Sequence, residues 1–128
     1  SCPVGYWNGN GICYKLFHTG EEFARAAATC GWHGGTLAMP RDANSIRAML
    51  SYWDLKGGHY SIWIGLHDQK KEGYFEWIDG TPLERWHLWE SGQPDNSKGK
   101  EDCVEFNVNT NRRWNDLSCD HRLPFLCQ

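Results

Sequence analysis

Two rhythms of apolar and polar residues run along this chain, and the change between them divides it. Near the start, "YWNGNGICYKLF" sets apolar runs on either side of Asn8-Gly9-Asn10-Gly11, which predicts two strands joined by a tight hairpin. The spacing then becomes helical. Phe23, Ala26, Ala27 and Cys30 fall on one face, Thr19 with Glu22 reads as a capping box, and Gly34-Gly35 stops the helix. A second helix is predicted in "RDANSIRAMLSYWDLKGG", capped by Asp42, with Ile46, Met49, Leu50 and Trp53 facing inward and Gly57-Gly58 closing it.

After Tyr60 the helical period ends. "YSIWIGL", "GYFEWIDGTPL" (closing on an Asp79-Gly80 turn), "CVEFNVN", "RRWNDLSC" and "LPFLCQ" read as strands. Between Glu84 and Asp102 neither period survives, and so long a stretch inside a compact chain is a functional or a disordered loop. The order is strand, two helices, then strands with long loops, which predicts an α+β fold. Neither repeat nor linker interrupts it, so residues 1–128 are read as one domain.

Composition narrows the function. A length of 128 residues allows one modest core. The charge of −3 and the lack of a basic stripe leave no expectation of a nucleic-acid partner. No apolar run reaches membrane-spanning length, so no membrane span is expected. The opening "SCPVGYW" reads as a processed mature end. Six cysteines, at positions 2, 13, 30, 103, 119 and 127, point to disulfides and a secreted, extracellular location. They contain no CxxC pair, which argues against a zinc ribbon, and their spacing alone does not choose their partners. The eight tryptophans are expected mainly in the core.

The chemistry gathers at the end of the aperiodic stretch, in "SGQPDNSKGKEDC". Gln93, Asp95, Asn96, Glu101 and Asp102 all offer oxygen, and Asn115 and Asp116 return to the same region between Cys103 and Cys119. Neither histidine nor thiolate is interleaved with them. An all-oxygen set suits calcium, whereas transition metals favour nitrogen or sulfur. The competing reading is a solvated acidic loop. Carboxylates packed this densely repel one another unless a cation lies between them, which favours the metal. Pro94 adds that a cis bond, available at modest cost before proline, would turn Gln93 and Asp95 toward one ion.

These residues carry a resemblance that covers essentially the whole chain. "WIGL" at 63–66, "QPD" at 93–95, "EDC" at 101–103, "WND" at 114–116 and "LPFLC" at 123–127 resemble the C-type lectin-like domain. The resemblance implies a double-loop fold, with two helices beside small antiparallel sheets. It also implies three disulfides, Cys2–Cys13, Cys30–Cys127 and Cys103–Cys119. The family's sugar-site calcium ligands carry over onto Gln93, Asp95, Glu101, Asn115 and Asp116, of which Gln93, Asp95, Glu101 and Asn115 would also touch the sugar. A second calcium site carries over onto Asp68, Glu72, Asn96, Glu101 and Asp102. Asn96 departs from the Asp of many relatives, which removes a charge.

In this family an amide-Pro-acid order favours galactose-type hydroxyl pairs (galactose or GalNAc), and acid-Pro-amide favours mannose-type ones. Gln93-Pro94-Asp95 is of the first kind. The tryptophan that often stacks on galactose two residues later is replaced by Ser97, so stacking falls to Trp86 or Trp89. Arg112 and Arg113 are placed to reach a second sugar unit or to sit in a solvated turn.

Three alternatives stand beside this reading. A lectin of broader or mannose/fucose preference would use the same ligands. Aggrecan-type proteoglycan domains carry a similar "QPDN…EDC" loop, which implies a calcium-dependent module for a protein partner. Antifreeze or venom-type relatives often lose ligands that this chain retains. Catalysis is not expected, because the acids serve as ligands and the six histidines form no nucleophile–base set. A single shallow sugar site implies avidity through several copies, so a non-covalent homo-oligomer is in keeping.

Overall fold

The computed structural model describes residues 1–58, 60–85, 87–89, 92–94, 99–107 and 113–128. β1 (Trp7–Gly9) and β2 (Ile12–Glu21) form the predicted hairpin, with Trp7 opposite Tyr14 and Gly9 opposite Ile12. Its turn requires left-handed backbone at Asn10 (φ 56°) and Gly11 (φ 91°), a conformation that Asn and Gly tolerate best. The Asn8 side chain accepts a hydrogen bond from the Gly11 N–H at 2.9 Å.

β2 extends through Glu21, farther than the sequence pattern suggests. Thr19 is therefore a strand residue and caps nothing. α1 (Phe23–Trp32) is entered from Glu22, whose side chain makes no capping bond. Long-range pairing displaces the local box: Glu21 pairs with Leu123 near the end of the chain, and the Phe23 N–H donates to the Cys119 carbonyl at 3.1 Å. Phe23, Ala26 and Cys30 are buried as the helical period requires. The helix stops at the expected glycines, with Gly34 at φ 86° and the Gly35 N–H on the Cys30 carbonyl.

α2 (Ala43–Leu55) keeps to its local signals. The Asp42 carboxylate accepts from the Ser45 N–H at 2.8 Å, and the Ser45 hydroxyl accepts from the Asp42 N–H at 3.1 Å, a reciprocal cap. Ile46, Met49 and Trp53 are buried together with Tyr52, while Leu50 is half-buried.

The remaining strands are β3 (Ile62–His67), β4 (Glu76–Trp77), β5 (Cys103–Asn107), β6 (Arg113–Leu117) and β7 (Leu123–Cys127). Their order is β1-β2-β7-β3-β5-β6, with β4 paired to β3. The pairings are antiparallel except between β3 and β7, which run parallel at Trp63 and Phe125. β3 is buried along its whole length, which is why it reads as a continuous apolar run. Ile62, Ile64 and Leu66 join a cluster with α2, Val104, Phe106 and Trp114. Trp63 joins the other cluster, with α1 and Phe125. The two-residue period of β3 thus places it between two cores.

Gly65 of "WIGL" exists for a close approach. A Cβ there would lie 2.9 Å from Ile78 Cγ2 and 3.0 Å from the Leu37 carbonyl oxygen, and the Gly65 backbone bonds to both Ala38 and Ile78. The three disulfides pair as the resemblance implies. Trp53, Trp63, Trp77 and Trp114 fill the core, but Trp32 is 89% exposed on the outer end of α1.

Candidate functional site

β3 delivers Asp68 to the start of the long-loop region, and β5 begins just after Asp102. The two are tied together, since the Asp68 N–H donates to the Asp102 carbonyl at 3.0 Å. Asp68, Glu72 and Asp102 each present an oxygen within 4.8 Å of the others. The Asp68 carboxylate is buried; its Oδ2 accepts from the Gly73 N–H at 2.8 Å, while its Oδ1 has no hydrogen-bond partner among the described residues. Asp102 Oδ1 is likewise buried and unpartnered. Buried carboxylate oxygens left without donors are costly.

Two of the three acids are held above the ordinary carboxylate range. A side-chain hydrogen bond to Asp68, together with loss of solvent and the nearby Asp102, pushes the Glu72 carboxyl from 4.5 to about 7. Burial raises Asp102 as well. Three carboxyl groups converging on one point, two of them with a buried oxygen that lacks a hydrogen-bond partner, fit a divalent cation bound by hard oxygen. Three of the residues predicted for the second calcium site are thus brought together. Glu101 lies outside the group, and Asn96 falls outside the described residues.

The sugar-site set is less completely described. Gln93 is half-buried, and the Gln93–Pro94 bond is cis. Glu101 is also half-buried. Asn115 and Asp116 lie side by side on β6, the outer strand of the order, and point to opposite faces, Asp116 fully buried and Asn115 half-buried. The Trp114 N–H points away from β5 to the Leu88 carbonyl at 2.7 Å, so the two-residue period turns the Asp116 carbonyl outward as well. Asp95, Trp86 and Arg112 lie outside the described residues. Arg113 is exposed at the start of β6, opposite Asn107.

Trp89 packs edge-on against Phe75 (4.8 Å) and Trp114 (5.6 Å), which anchors the loop to the core. It also lines a cavity of about 580 Å³ with Lys70, Lys71, Tyr74 and Pro94. Tyr74 is 66% exposed, with the Lys71 ammonium 4.2 Å above its ring. Sequence reasoning missed this tyrosine, because nothing in its local pattern marks a ring left outside. It also missed Glu105, a buried acid on β5 that accepts from Asn115 Nδ2 at 2.7 Å. Its signal was present: a charge inside the apolar run "CVEF".

Residues 19–128 match the family described as Lectin C-type domain, and the chain belongs to that family of carbohydrate-binding lectins. It is 36% identical over 115 residues to Collectin-10 of Gallus gallus, covering 90% of this chain and 40% of that protein. It is 34% identical over 134 residues to C-type lectin BJcuL of Bothrops jararacussu, covering 100% of this chain and 82% of that one. The chain therefore spans well under half the length of the collectin. Among solved structures, the mouse scavenger receptor C-type lectin carbohydrate-recognition domain matches with a TM-score of 0.85 at 30% identity, over 99% of this chain and 96% of that one.

Proposed function

We propose that residues 1–128 act as a secreted, calcium-dependent carbohydrate-recognition domain for galactose-type glycans. Gln93, Asp95, Glu101, Asn115 and Asp116 would hold the calcium that meets the sugar. Asp68, Glu72, Asn96, Glu101 and Asp102 would hold a second ion that braces the loop. The observation that carries the calcium reading is the pair of buried, unpartnered oxygens on Asp68 and Asp102 beside Glu72. The galactose preference rests on the order amide, proline, acid at Gln93-Pro94-Asp95. The three disulfides support an oxidising, extracellular setting.

A bound calcium ion offers open coordination positions that two neighbouring sugar hydroxyls can fill. The chain supplies the discrimination. Carboxylates only accept hydrogen bonds, while the amides of Gln93 and Asn115 also donate. Where the donors and acceptors stand around the hydroxyl pair decides which diol orientation is satisfied at every position.

A glycan array run with calcium and with chelator tests this. Galactose-terminated glycans should bind only with calcium, and an array silent under both conditions would overturn the reading. The tetrapeptide Gln93-Pro94-Asp95-Asn96 favours a second reading, a calcium-organised surface for a protein partner. That partner's binding would need calcium but ignore excess galactose.

A further inference from the structure

Glu105 lies at the middle of β5, only 5% exposed, between the core residues Val104 and Phe106. A carboxylate in such a place needs partners. It has two amides, Asn115 Nδ2 at 2.7 Å and Asn107 Nδ2 at 3.4 Å, and Asn107 Oδ1 in turn accepts from the Ser61 hydroxyl at 3.3 Å. The register explains the first contact. Glu105 stands directly opposite Asn115 across β5 and β6, so both side chains leave the sheet on the same face.

A carboxylate can only accept. The part of the Asn115 amide facing Glu105 must therefore be its NH2, and Oδ1 is turned the other way. Only one of the two N–H bonds is used by Glu105. We propose that Glu105 is a positioning residue for the sugar site. It fixes the Asn115 amide so that Oδ1 is presented to calcium, and it leaves the second N–H for a ligand hydroxyl. The negative charge behind the amide also polarises it and makes Oδ1 a better ligand. This inference rests on the calcium reading above, and it adds a residue outside the motifs quoted for the resemblance.

The test is a pair of substitutions measured with calcium alone and with no calcium at all. Glu105→Gln keeps the shape, but the new side chain can face Asn115 with either a donor or an acceptor, so the orientation is no longer dictated. The melting temperature of the chelated protein should stay near wild type, while the Asn115 side-chain amide resonances shift. Calorimetry should show calcium affinity at one site falling by about tenfold, the scale of lost outer-sphere support. Asn115→Asp alone should also weaken calcium, because it sets two carboxylates against each other. The double variant should recover most of that loss, since an aspartate presents oxygen on both sides and the new amide donates to one of them. A network that merely knits the strands together gives no such recovery.

Wild-type calcium affinity in Glu105→Gln would overturn the proposal, as would a double variant no tighter than the weaker single one. A flat wild-type isotherm is a separate outcome, which would overturn the calcium reading itself and this inference with it.

Discussion

Glu72 is exposed, yet its carboxyl titrates near 7 rather than 4.5, chiefly because it shares a hydrogen bond with Asp68 and also faces Asp102. A folded pKa above the unfolded one means that the folded chain holds this proton more tightly. The resulting stability is complete below about 4.5 and is lost as pH rises toward 7. On the proposed reading calcium would displace the same proton, so its affinity here should rise across that window. The melting temperature of chelated protein should thus fall between pH 5 and 7 at this site's expense, while the calcium-induced rise grows. A calcium-induced rise that is equal at both pH values would contradict the assignment. Asp102→Asn removes one of the crowded charges and should move the two quantities in opposite directions. The chelated protein should melt higher, and its response to calcium should shrink. At this scale the acids themselves were readable in the sequence. Their orphaned oxygens were not, because burial is set by the Asp68–Asp102 backbone contact between segments far apart in the chain.

At the scale of elements, the two helix starts separate local from distant causes. α2 begins where Asp42 and Ser45 satisfy each other, a signal contained within four residues. Asp42→Ala should cost about 1 kcal/mol and lower the midpoint of denaturant unfolding. Thr19 and Glu22 carry the same kind of signal, yet Thr19 lies exposed on a strand that pairs with β7. Thr19→Ala should change stability by less than about 0.5 kcal/mol. A loss equal to that of Asp42→Ala would mean that the box forms after all. Strand pairing overrode the pattern for a similar reason at β4. "GYFEWIDGTPL" reads as a strand closing on an Asp79-Gly80 turn; the turn forms there, with the Trp77 N–H on the Thr81 carbonyl at 2.8 Å, but only Glu76–Trp77 of the strand pairs with β3. Glu105 belongs to the same class. Its charge was visible in the sequence, but its use depends on the register that puts it opposite Asn115.

Across the whole molecule, β7 inserts between β2 and β3, and Cys30–Cys127 links residues 97 positions apart. The hydrophobic pattern could not give this order, since strands of similar character differ only in their partners. The pairing of the cysteines came with the family motifs rather than from their spacing. Closing so long a loop should stabilise the fold by about 4–5 kcal/mol on chain-entropy reasoning. On the proposed reading calcium would act differently, by mass action on a fold already closed. At one site it would add about 2.7 kcal/mol when present at about 100 times its dissociation constant. The buried residues of the two cores gather on either side of β3. Loss of the disulfide should therefore cost more than loss of the ion. Oxidised protein in chelator should remain folded at room temperature with a lowered unfolding midpoint, while the Cys30→Ala/Cys127→Ala variant should fall further even with calcium present. Circular dichroism melts of the two samples decide the order. If chelation alone unfolds the oxidised chain, then the ion is part of the core's own closure, and the separation between scaffold and site on which the reading depends does not hold.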